Sequence, residues 1–201
     1  MGHGIQAAIA EEGPKEGEEW IFLSSRDCNL LDVDATRAFF TAAAPTHVIH
    51  LAAKVGGLFN NLKHNVEFFR ENMMMNDNVL LVCKELECRC VSCLSTCIFP
   101  DKTTYPINEL MLHAGKPHSS NEGYSFAKRM VDVMNRIYFN ECASFARAAA
   151  PPLSSPKHAP RALIARWSPN AHIARPPSDS LRPVHLRARA RGAQMAATLR
   201  A

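Results

Sequence analysis

Short apolar segments alternate with longer amphipathic ones along the first 140 residues, and this alternation limits the possible folds more than any other feature. We predict strands at 20–24, 47–51 and 90–94, and helices at 5–12, 35–43, 66–88 and 124–140. The helix at 124–140 carries its apolar residues on one stripe, at about 3.6 residues per turn. Strands that alternate with helices form βαβ units around a parallel sheet. The sequence therefore predicts an α/β fold, in which Asp34 caps the helix at 35–43.

Charge and proline content change abruptly near residue 142. Residues 1–142 hold 13 Lys and Arg against 18 Asp and Glu, whereas residues 143–201 hold ten against one and most of the chain's 13 prolines. A basic segment rich in Ala, Pro and Arg, without an apolar period, cannot offset its ordering entropy by burial. We predict one domain at 1–142 and a disordered tail at 143–201.

The positive charge of the tail leaves two interpretations open. It is either a basic arm for RNA or an anionic membrane, or a disordered segment without a selected function. Trp167 is its main aromatic residue for stacking on bases, so the second interpretation is favoured and nucleic acid is not an expected partner. No apolar run reaches the roughly 18 residues of a membrane span, and residues 1–13 lack the features of a secretory signal. We expect a cytoplasmic protein that does not enter membranes.

The seven cysteines are expected to be reduced thiols, because their number is odd and no secretory signal is evident. Four of them fall close together, at Cys88, Cys90, Cys93 and Cys97, a density typical of zinc sites. No second Cys-x-x-Cys or His pair completes a tetrahedral ligand set. We favour the alternative, in which Cys90 and Cys93 are small hydrophobic side chains of a short buried strand. The sequence therefore predicts no metal site.

A Tyr-x-x-x-Lys pair, Tyr124 and Lys128, indicates proton chemistry. On a helix these two side chains lie one turn apart on the same face. An ammonium beside a phenol lowers the pKa of the phenol, which then exchanges its proton nearer neutral pH. Ser95 follows an apolar segment and is expected to hydrogen-bond the same substrate oxygen that the phenol protonates. This set suits hydride chemistry at a C–O centre, although the pair also occurs on helices by chance.

Four segments together resemble the extended short-chain dehydrogenases and, within them, the GDP-4-keto-6-deoxymannose epimerase-reductases. They are residues 46–58, 72–80, 92–100 and 124–128. The resemblance extends from Gly2 to Cys142. It implies a Rossmann-type parallel sheet, NADP as the cofactor, a GDP-sugar as the substrate and a homodimer.

The resemblance implies a role for each of four residues at the reaction centre. Tyr124 is expected to donate a proton during ketone reduction, while Lys128 lowers its pKa and holds the nicotinamide ribose. Ser95 is expected to orient the keto oxygen. Cys97 corresponds to the residue that exchanges a proton at the carbon beside the ketone during epimerisation, a role that suits the pKa of a thiol. The alternative for Cys97 is a buried thiol at the end of a strand.

The resemblance also implies a set of cofactor-binding residues. Gly2 corresponds to the last glycine of the family's Gly-rich turn. Ser25 and Arg26 are expected to contact the 2′-phosphate of NADP, which a guanidinium binds with two hydrogen bonds. Ala52 and Ala53 let the backbone pass close to the cofactor. The remaining members of the set are Leu51, Leu94, Tyr124 and Lys128.

The chain departs from the family's pattern in three respects. The family's first strand, central in its sheet, and the Gly-rich turn that follows it have no counterpart before Gly2, so we expect an incomplete sheet. The family's second acid–base residue, a histidine, has no match, because His158 lies in a different context. The lobe that binds the GDP-sugar is also missing. We therefore predict a truncated copy in which the conversion of GDP-4-keto-6-deoxy-D-mannose to GDP-L-fucose is impaired.

One alternative interpretation follows from the same departures. The chain would then be a non-catalytic fragment that binds or regulates the full enzyme. The helices at 66–88 and 124–140 resemble those that form dimers in the family, and their apolar stripes need a partner.

Overall fold

The computed structural model describes residues 1–149 and 161–165. Within these ranges the chain forms five α-helices and four strands. The helices are α1 (Gly2–Glu12), α2 (Val33–Ala43), α3 (Leu58–Lys63), α4 (Asn65–Glu85) and α5 (Glu122–Ala149), and the strands are β1 (Glu19–Leu23), β2 (His47–His50), β3 (Arg89–Ser92) and β4 (Arg161–Ala165). Three short 3-10 turns lie between β3 and α5, at Thr96–Ile98, Glu109–Met111 and Ser119–Asn121.

The strands form one parallel sheet in the order β1-β4-β2-β3. Leu163 of the central strand β4 pairs with Ile21 of β1 on one side and with Val48 of β2 on the other. Because β1 and β2 do not pair with each other, β1 is held in the sheet through β4. Parallel pairing places the carboxyl ends of all four strands at one edge, which is the edge where α/β sheets bind ligands.

The predicted α/β fold with a parallel sheet is confirmed, but the sheet is more complete than the sequence indicated. β4 lies beyond the predicted boundary at residue 142 and takes the place between β1 and β2 for which no strand was predicted. Helix α5 also continues past that boundary, to Ala149. The short apolar segment of β4 stands between proline-rich stretches, and the strand is stabilised by pairing on both sides, which a local pattern does not reveal. The rest of the predicted tail, residues 150–160 and 166–201, lies outside the described residues.

The core lies where β1, β2, α2 and α4 meet. Its fully buried members include Phe40 from α2, Val48 from β2 and Met75 and Val79 from α4. Helix α5 packs along α4, and the Lys84 ammonium joins the two helices by an ion pair of 2.7 Å with the Glu141 carboxylate. No helix within the described residues combines the length and the apolar character needed to cross a membrane.

Two details of the helices differ from the sequence-based expectation. The cap of α2 is Asp32, whose carboxylate accepts hydrogen bonds from the backbone N–H groups of Asp34 and Ala35. Asp34 instead lies in the first turn, where it forms an ion pair with Arg37. Helix α4 ends at Glu85 rather than at residue 88, and its inward residue is Phe68, which is 1% exposed, whereas the neighbouring Phe69 is 40% exposed.

Replacing Leu163 with proline is expected to destabilise the sheet, because proline removes a backbone N–H from the central strand and leaves a neighbouring carbonyl without its donor. The expected loss is about 1–3 kcal/mol of unfolding free energy. The control is Leu163→Val, which keeps the N–H and suits a strand. Urea unfolding followed by Trp20 fluorescence, in a Trp167→Phe background, reports on β1. An unchanged midpoint for Leu163→Pro would show that β4 is not needed to hold β1.

Candidate active site

The loops that leave the carboxyl edge of the sheet carry most of the predicted site residues. These are Ser25, Arg26, Leu51, Ala52, Ala53, Leu94 and Ser95. The N-terminal end of α1 lies at the same edge, since the Met1 Sδ is 3.8 Å from the Cys93 Sγ just after β3. Gly2, the first residue of α1, is therefore also close to this edge.

Ser95, Cys97 and Tyr124 lie together at this edge. The Cys97 thiol donates a hydrogen bond to the Ser95 hydroxyl over 3.2 Å. The Ser95 side chain also lies close to the Tyr124 phenol. The 3-10 turn at Thr96–Ile98 folds the chain back, so that Cys97 contacts a residue only two positions earlier. The structure thus places a phenol, a hydroxyl and a thiol, all half-buried, in one small cluster.

Tyr124 is positioned by a close contact between the starts of α4 and α5. The Gly123 N–H donates a hydrogen bond to the Asn65 side-chain oxygen over 2.6 Å. A Cβ on Gly123 would overlap the backbone oxygen of Asn65, so this contact requires glycine. The first turn of α5 is thereby held against α4, which fixes Tyr124 and, one turn later, Lys128.

Lys128 is buried behind the cluster, with 3% of its surface exposed. Its ammonium donates a hydrogen bond to the Cys93 carbonyl oxygen over 3.0 Å. Burial lowers the pKa of Lys128, and negative charge on the Cys93 and Cys97 thiols opposes this change. The ammonium is therefore tied to the end of β3, within one helical turn of Tyr124.

The pKa of Tyr124 differs from the expectation. Burial raises this pKa above its ordinary value, charge on the nearby Cys97 thiol raises it further, and the hydrogen bond with Ser95 acts in the opposite direction. Lys128 does not lower it, because the ammonium points to the Cys93 carbonyl instead. In this geometry the phenol holds its proton more firmly than a free tyrosine does.

His50 and Asn76 form a buried polar pair beneath the site that the sequence analysis did not identify. Both side chains are 0% exposed, and the His50 Nε2 lies 2.9 Å from the Asn76 Oδ1. Since an amide oxygen accepts, the neutral ring carries its proton on Nε2. Burial lowers the pKa of His50 to about 4, and the Lys128 charge acts in the same direction. The one available signal was a second histidine, three residues after His47, at the end of a strand whose central residues are apolar.

The residues expected to contact a dinucleotide are two alanines with small side chains and two polar residues, Ser25 and Arg26. Ala52 is fully buried, and Ala53 nearly so. The Ser25 hydroxyl is buried and has no hydrogen-bond partner among the described residues. Arg26 is exposed, and none of the ion pairs within the described residues involves it. An unpartnered hydroxyl and a guanidinium outside the ion pairs, on adjacent residues, are suited to a phosphate.

The clustered cysteines divide into two groups. Cys83, Cys88 and Cys90 pack on the core, and hydrogen bonds from Cys83 lower the pKa of the Cys88 and Cys90 thiols. Cys93 and Cys97 belong to the site at the sheet edge. Across residues 1–149 and 161–165 no three His, Cys, Asp or Glu side chains are arranged to hold a metal ion.

Comparison with known proteins decides the family. A model of the NAD dependent epimerase/dehydratase family matches residues 4–183. The chain belongs to this family. Two similar curated members are the GDP-L-fucose synthase of Dictyostelium discoideum, 59% identical over 142 residues, and that of Escherichia coli, 31% identical over 140 residues. These matches cover 70% and 67% of this chain, and 44% of each relative.

Solved structures of the epimerase/dehydratase family show the same relationship. A GDP-L-fucose synthetase from Naegleria fowleri bound to NADP superposes with a TM-score of 0.67 and 38% identity, covering 82% of this chain and 49% of that one. The chain thus spans less than half the length of these relatives. The structural match covers more of the chain than the match to the curated sequences does, which agrees with an ordered region that continues past residue 142.

The pKa of His50 is expected to make stability depend on pH. Unfolded His50 takes up a proton near pH 6.5, whereas the folded ring resists protonation down to about pH 4. The unfolded state therefore binds more protons in this window, so the free energy of unfolding falls as the pH drops through it. The loss due to this residue is on the order of 3 kcal/mol.

Urea unfolding at several pH values between 4 and 7 measures this effect. His50→Gln should flatten the pH dependence, although it is less stable at neutral pH. His47→Gln changes an exposed histidine of the same strand and should leave the dependence unchanged. Equal slopes for all three proteins would contradict the assignment.

Proposed function

We propose that this chain catalyses the NADP-dependent epimerisation and reduction of GDP-4-keto-6-deoxy-D-mannose to GDP-L-fucose. The observation that carries the proposal is the meeting of Ser95, Cys97 and Tyr124 at the carboxyl edge of the sheet, with Lys128 behind them. The names of the relatives support the choice of substrate and product, and the NADP in the Naegleria fowleri structure supports the choice of cofactor.

In the reduction, Tyr124 is the proton donor. The phenol carries its proton at neutral pH, as an ordinary tyrosine does, and can give it to the oxygen on which negative charge develops. Ser95 contacts the phenol and is placed to hydrogen-bond the same substrate oxygen.

In the epimerisation, Cys97 is the proposed acid–base group. Removal of a proton from the carbon beside the ketone moves negative charge to the keto oxygen, where Ser95 and Tyr124 stabilise it. The thiol lies 3.2 Å from the Ser95 hydroxyl, so one substrate carbonyl can contact all three groups. We expect turnover to be slow, because no histidine matches the second acid–base residue by its place in the sequence.

The residues at the sheet edge fit NADP. The unpartnered Ser25 hydroxyl and the exposed Arg26 guanidinium suit the 2′-phosphate, and fully buried Ala52 leaves room for close approach of the cofactor. Gly2, Leu51, Ala53 and Leu94 complete the proposed contact surface, and Lys128 is the proposed partner of the nicotinamide ribose. When bound, NADPH supplies the hydride for ketone reduction.

We infer a cytoplasmic location for this chemistry. All seven cysteines are free thiols, as is usual in a reducing compartment.

The two chemical steps are expected to separate by mutation. Tyr124→Phe should abolish reduction, a loss of about 10²-fold or more, because it removes the proton donor. Cys97→Ser should slow proton exchange at the carbon beside the ketone by a similar factor. NADPH oxidation measures the first step, and deuterium incorporation from D₂O measures the second. If Cys97→Ser exchanges deuterium at the unmodified rate, Cys97 is structural.

Arg26→Ala is expected to weaken NADP binding by about tenfold or more, because a charge-assisted phosphate contact contributes roughly 1.5–3 kcal/mol. Binding of NAD should change little, since NAD has no 2′-phosphate. Cofactor titration by calorimetry compares the two ligands, with Arg70→Ala as a control on α4. Equal losses for NADP and NAD would contradict the role of Arg26.

A second candidate function is association with another copy of the enzyme, and an apolar groove between α4 and α5 favours it. The groove has a volume of 480 Å³ and is lined mainly by Val66, Phe69, Phe126 and Met130. Val66 is 71% exposed, which is unusual for so apolar a side chain. We infer that this face forms a homodimer, or binds the full-length enzyme if the chain is not itself catalytic.

Val66→Asp should then reduce the mass measured by light scattering without changing the fold.

A further inference from the structure

Arg129 on α5 is a buried cation without an acidic partner. The residue is 5% exposed, and it takes part in none of the ion pairs within the described residues. Burial lowers the pKa of this guanidinium. A buried charge without a counter-ion costs free energy unless hydrogen bonds compensate for it. The hydrogen bonds that Arg129 donates are therefore what holds the charge in this place.

The guanidinium donates to two backbone carbonyl groups on different loops. Its Nε and Nη2 both donate to the Ile98 carbonyl oxygen, Nε over 2.9 Å, and its Nη1 donates to the Gly115 carbonyl oxygen over 2.7 Å. Ile98 closes the 3-10 turn at Thr96–Ile98, since its N–H donates to the Ser95 carbonyl oxygen over 3.2 Å. The planar fork of an arginine serves both loops at once, whereas the donors of a lysine all lie on one atom.

The two loops pack against each other beside the guanidinium. The Asp101 N–H donates a hydrogen bond to the Lys116 carbonyl oxygen over 2.9 Å. A Cβ on Gly115 would lie 3.2 Å from the Pro100 Cβ, which is closer than side chains usually pack. The guanidinium thus connects the 3-10 turn to a loop that is already in contact with the chain just after the turn.

Consecutive residues of α5 hold both ends of the segment 93–98. The Lys128 ammonium donates to the Cys93 carbonyl oxygen over 3.0 Å, and the Arg129 guanidinium donates to the Ile98 carbonyl oxygen. Neighbouring side chains leave a helix about 100° apart, so the two cations hold the segment at separate points. We call this pair of contacts the α5 clamp.

We propose that Arg129 is a positioning residue for Ser95 and Cys97. This inference rests on the proposed function and deepens it. Both side chains belong to the segment 93–98, and Tyr124 lies on the same helix as the two cations of the α5 clamp. The clamp thereby sets the distances among the phenol, the hydroxyl and the thiol. Because the guanidinium is buried on carbonyl groups, it acts through this segment rather than on the substrate.

Three variants separate the role of the hydrogen bonds from that of the buried stem. Arg129→Met removes every donor and keeps an unbranched apolar chain. It also removes the desolvation cost of a charge without a counter-ion, so we expect it to fold. Arg129→Lys keeps the charge and should retain part of the α5 clamp. The matched control is Arg136→Met, which changes an exposed arginine of the same helix that pairs with Asp132.

Alkylation by iodoacetamide, with mass spectrometry of the peptides, tests the α5 clamp without any turnover. We expect Arg129→Met to raise the rate at Cys97 by about tenfold, because the segment loses hydrogen bonds from a charged donor. Arg129→Lys should raise it less, and Arg136→Met should leave it unchanged. Exposed Cys142 is the reference for intrinsic thiol reactivity, and buried Cys28 is the reference for unfolding.

Deuterium incorporation into GDP-4-keto-6-deoxymannose in D₂O, without NADPH, measures the effect on the reaction. We expect Arg129→Met to lower kcat for exchange by about 10²-fold, since misplacing reacting groups by about 1 Å has an effect of this size. KM for the substrate and the affinity for NADP should change little, because the guanidinium contacts neither. Arg129→Lys should recover part of kcat, and Arg136→Met should match the unmodified chain.

Each outcome decides the assignment. Labelling of Cys97 at the unmodified rate in Arg129→Met would overturn the α5 clamp. Faster labelling with unchanged deuterium exchange would overturn the role of Arg129 in the reaction. Equal acceleration at Cys97 and Cys28 would indicate unfolding and would overturn the positioning role as well. If the unmodified chain exchanges no deuterium, the proposed function fails, and the labelling rates alone decide whether Arg129 positions Cys97.

Discussion

The pairing of β4 with β1 and β2 is the interaction on which the rest of the structure depends. β1 has no other strand partner within the described residues, so without β4 the sheet would separate into β1 and the β2–β3 pair. The core spans that junction, because Leu23 of β1 packs in the same cluster as Val48 of β2. A strand contributed by residues 161–165 thus completes a sheet whose other three strands lie within the first 92 residues.

The site inherits its geometry from this sheet. Parallel strands end at one edge, and the loops after β1, β2 and β3 carry the residues proposed to bind the cofactor and the substrate. Helix α5 adds Tyr124 and Lys128 through two specific contacts, that of Gly123 with Asn65 and that of Lys128 with the Cys93 carbonyl. Loss of β4 would therefore disturb Ser25 and Arg26 first, because they follow β1.

Much of the fold could be predicted from the sequence. The segment at 47–51 is a short apolar run typical of a strand, and the segment at 124–140 has an apolar stripe typical of a helix. The Tyr124–Lys128 pair stands in a motif of fixed spacing, and the family resemblance indicates Ser95 and Cys97, while the roles of all four remain predictions. Strand β4 could not be predicted, because it is stabilised by pairing with β1 and β2, which are distant in sequence. His50 was missed for a related reason, because it is a single polar residue whose significance depends on Asn76, which lies across the fold.

The pKa of Tyr124 shows how a structure changes a mechanism inferred from spacing. The spacing alone indicates a phenol activated by Lys128, with a lowered pKa. Burial instead raises the Tyr124 pKa and lowers the Lys128 pKa, so both changes favour the uncharged forms. In this geometry proton transfer from Tyr124 is less favourable than the spacing alone indicates, because a donor works best when its pKa lies near the working pH.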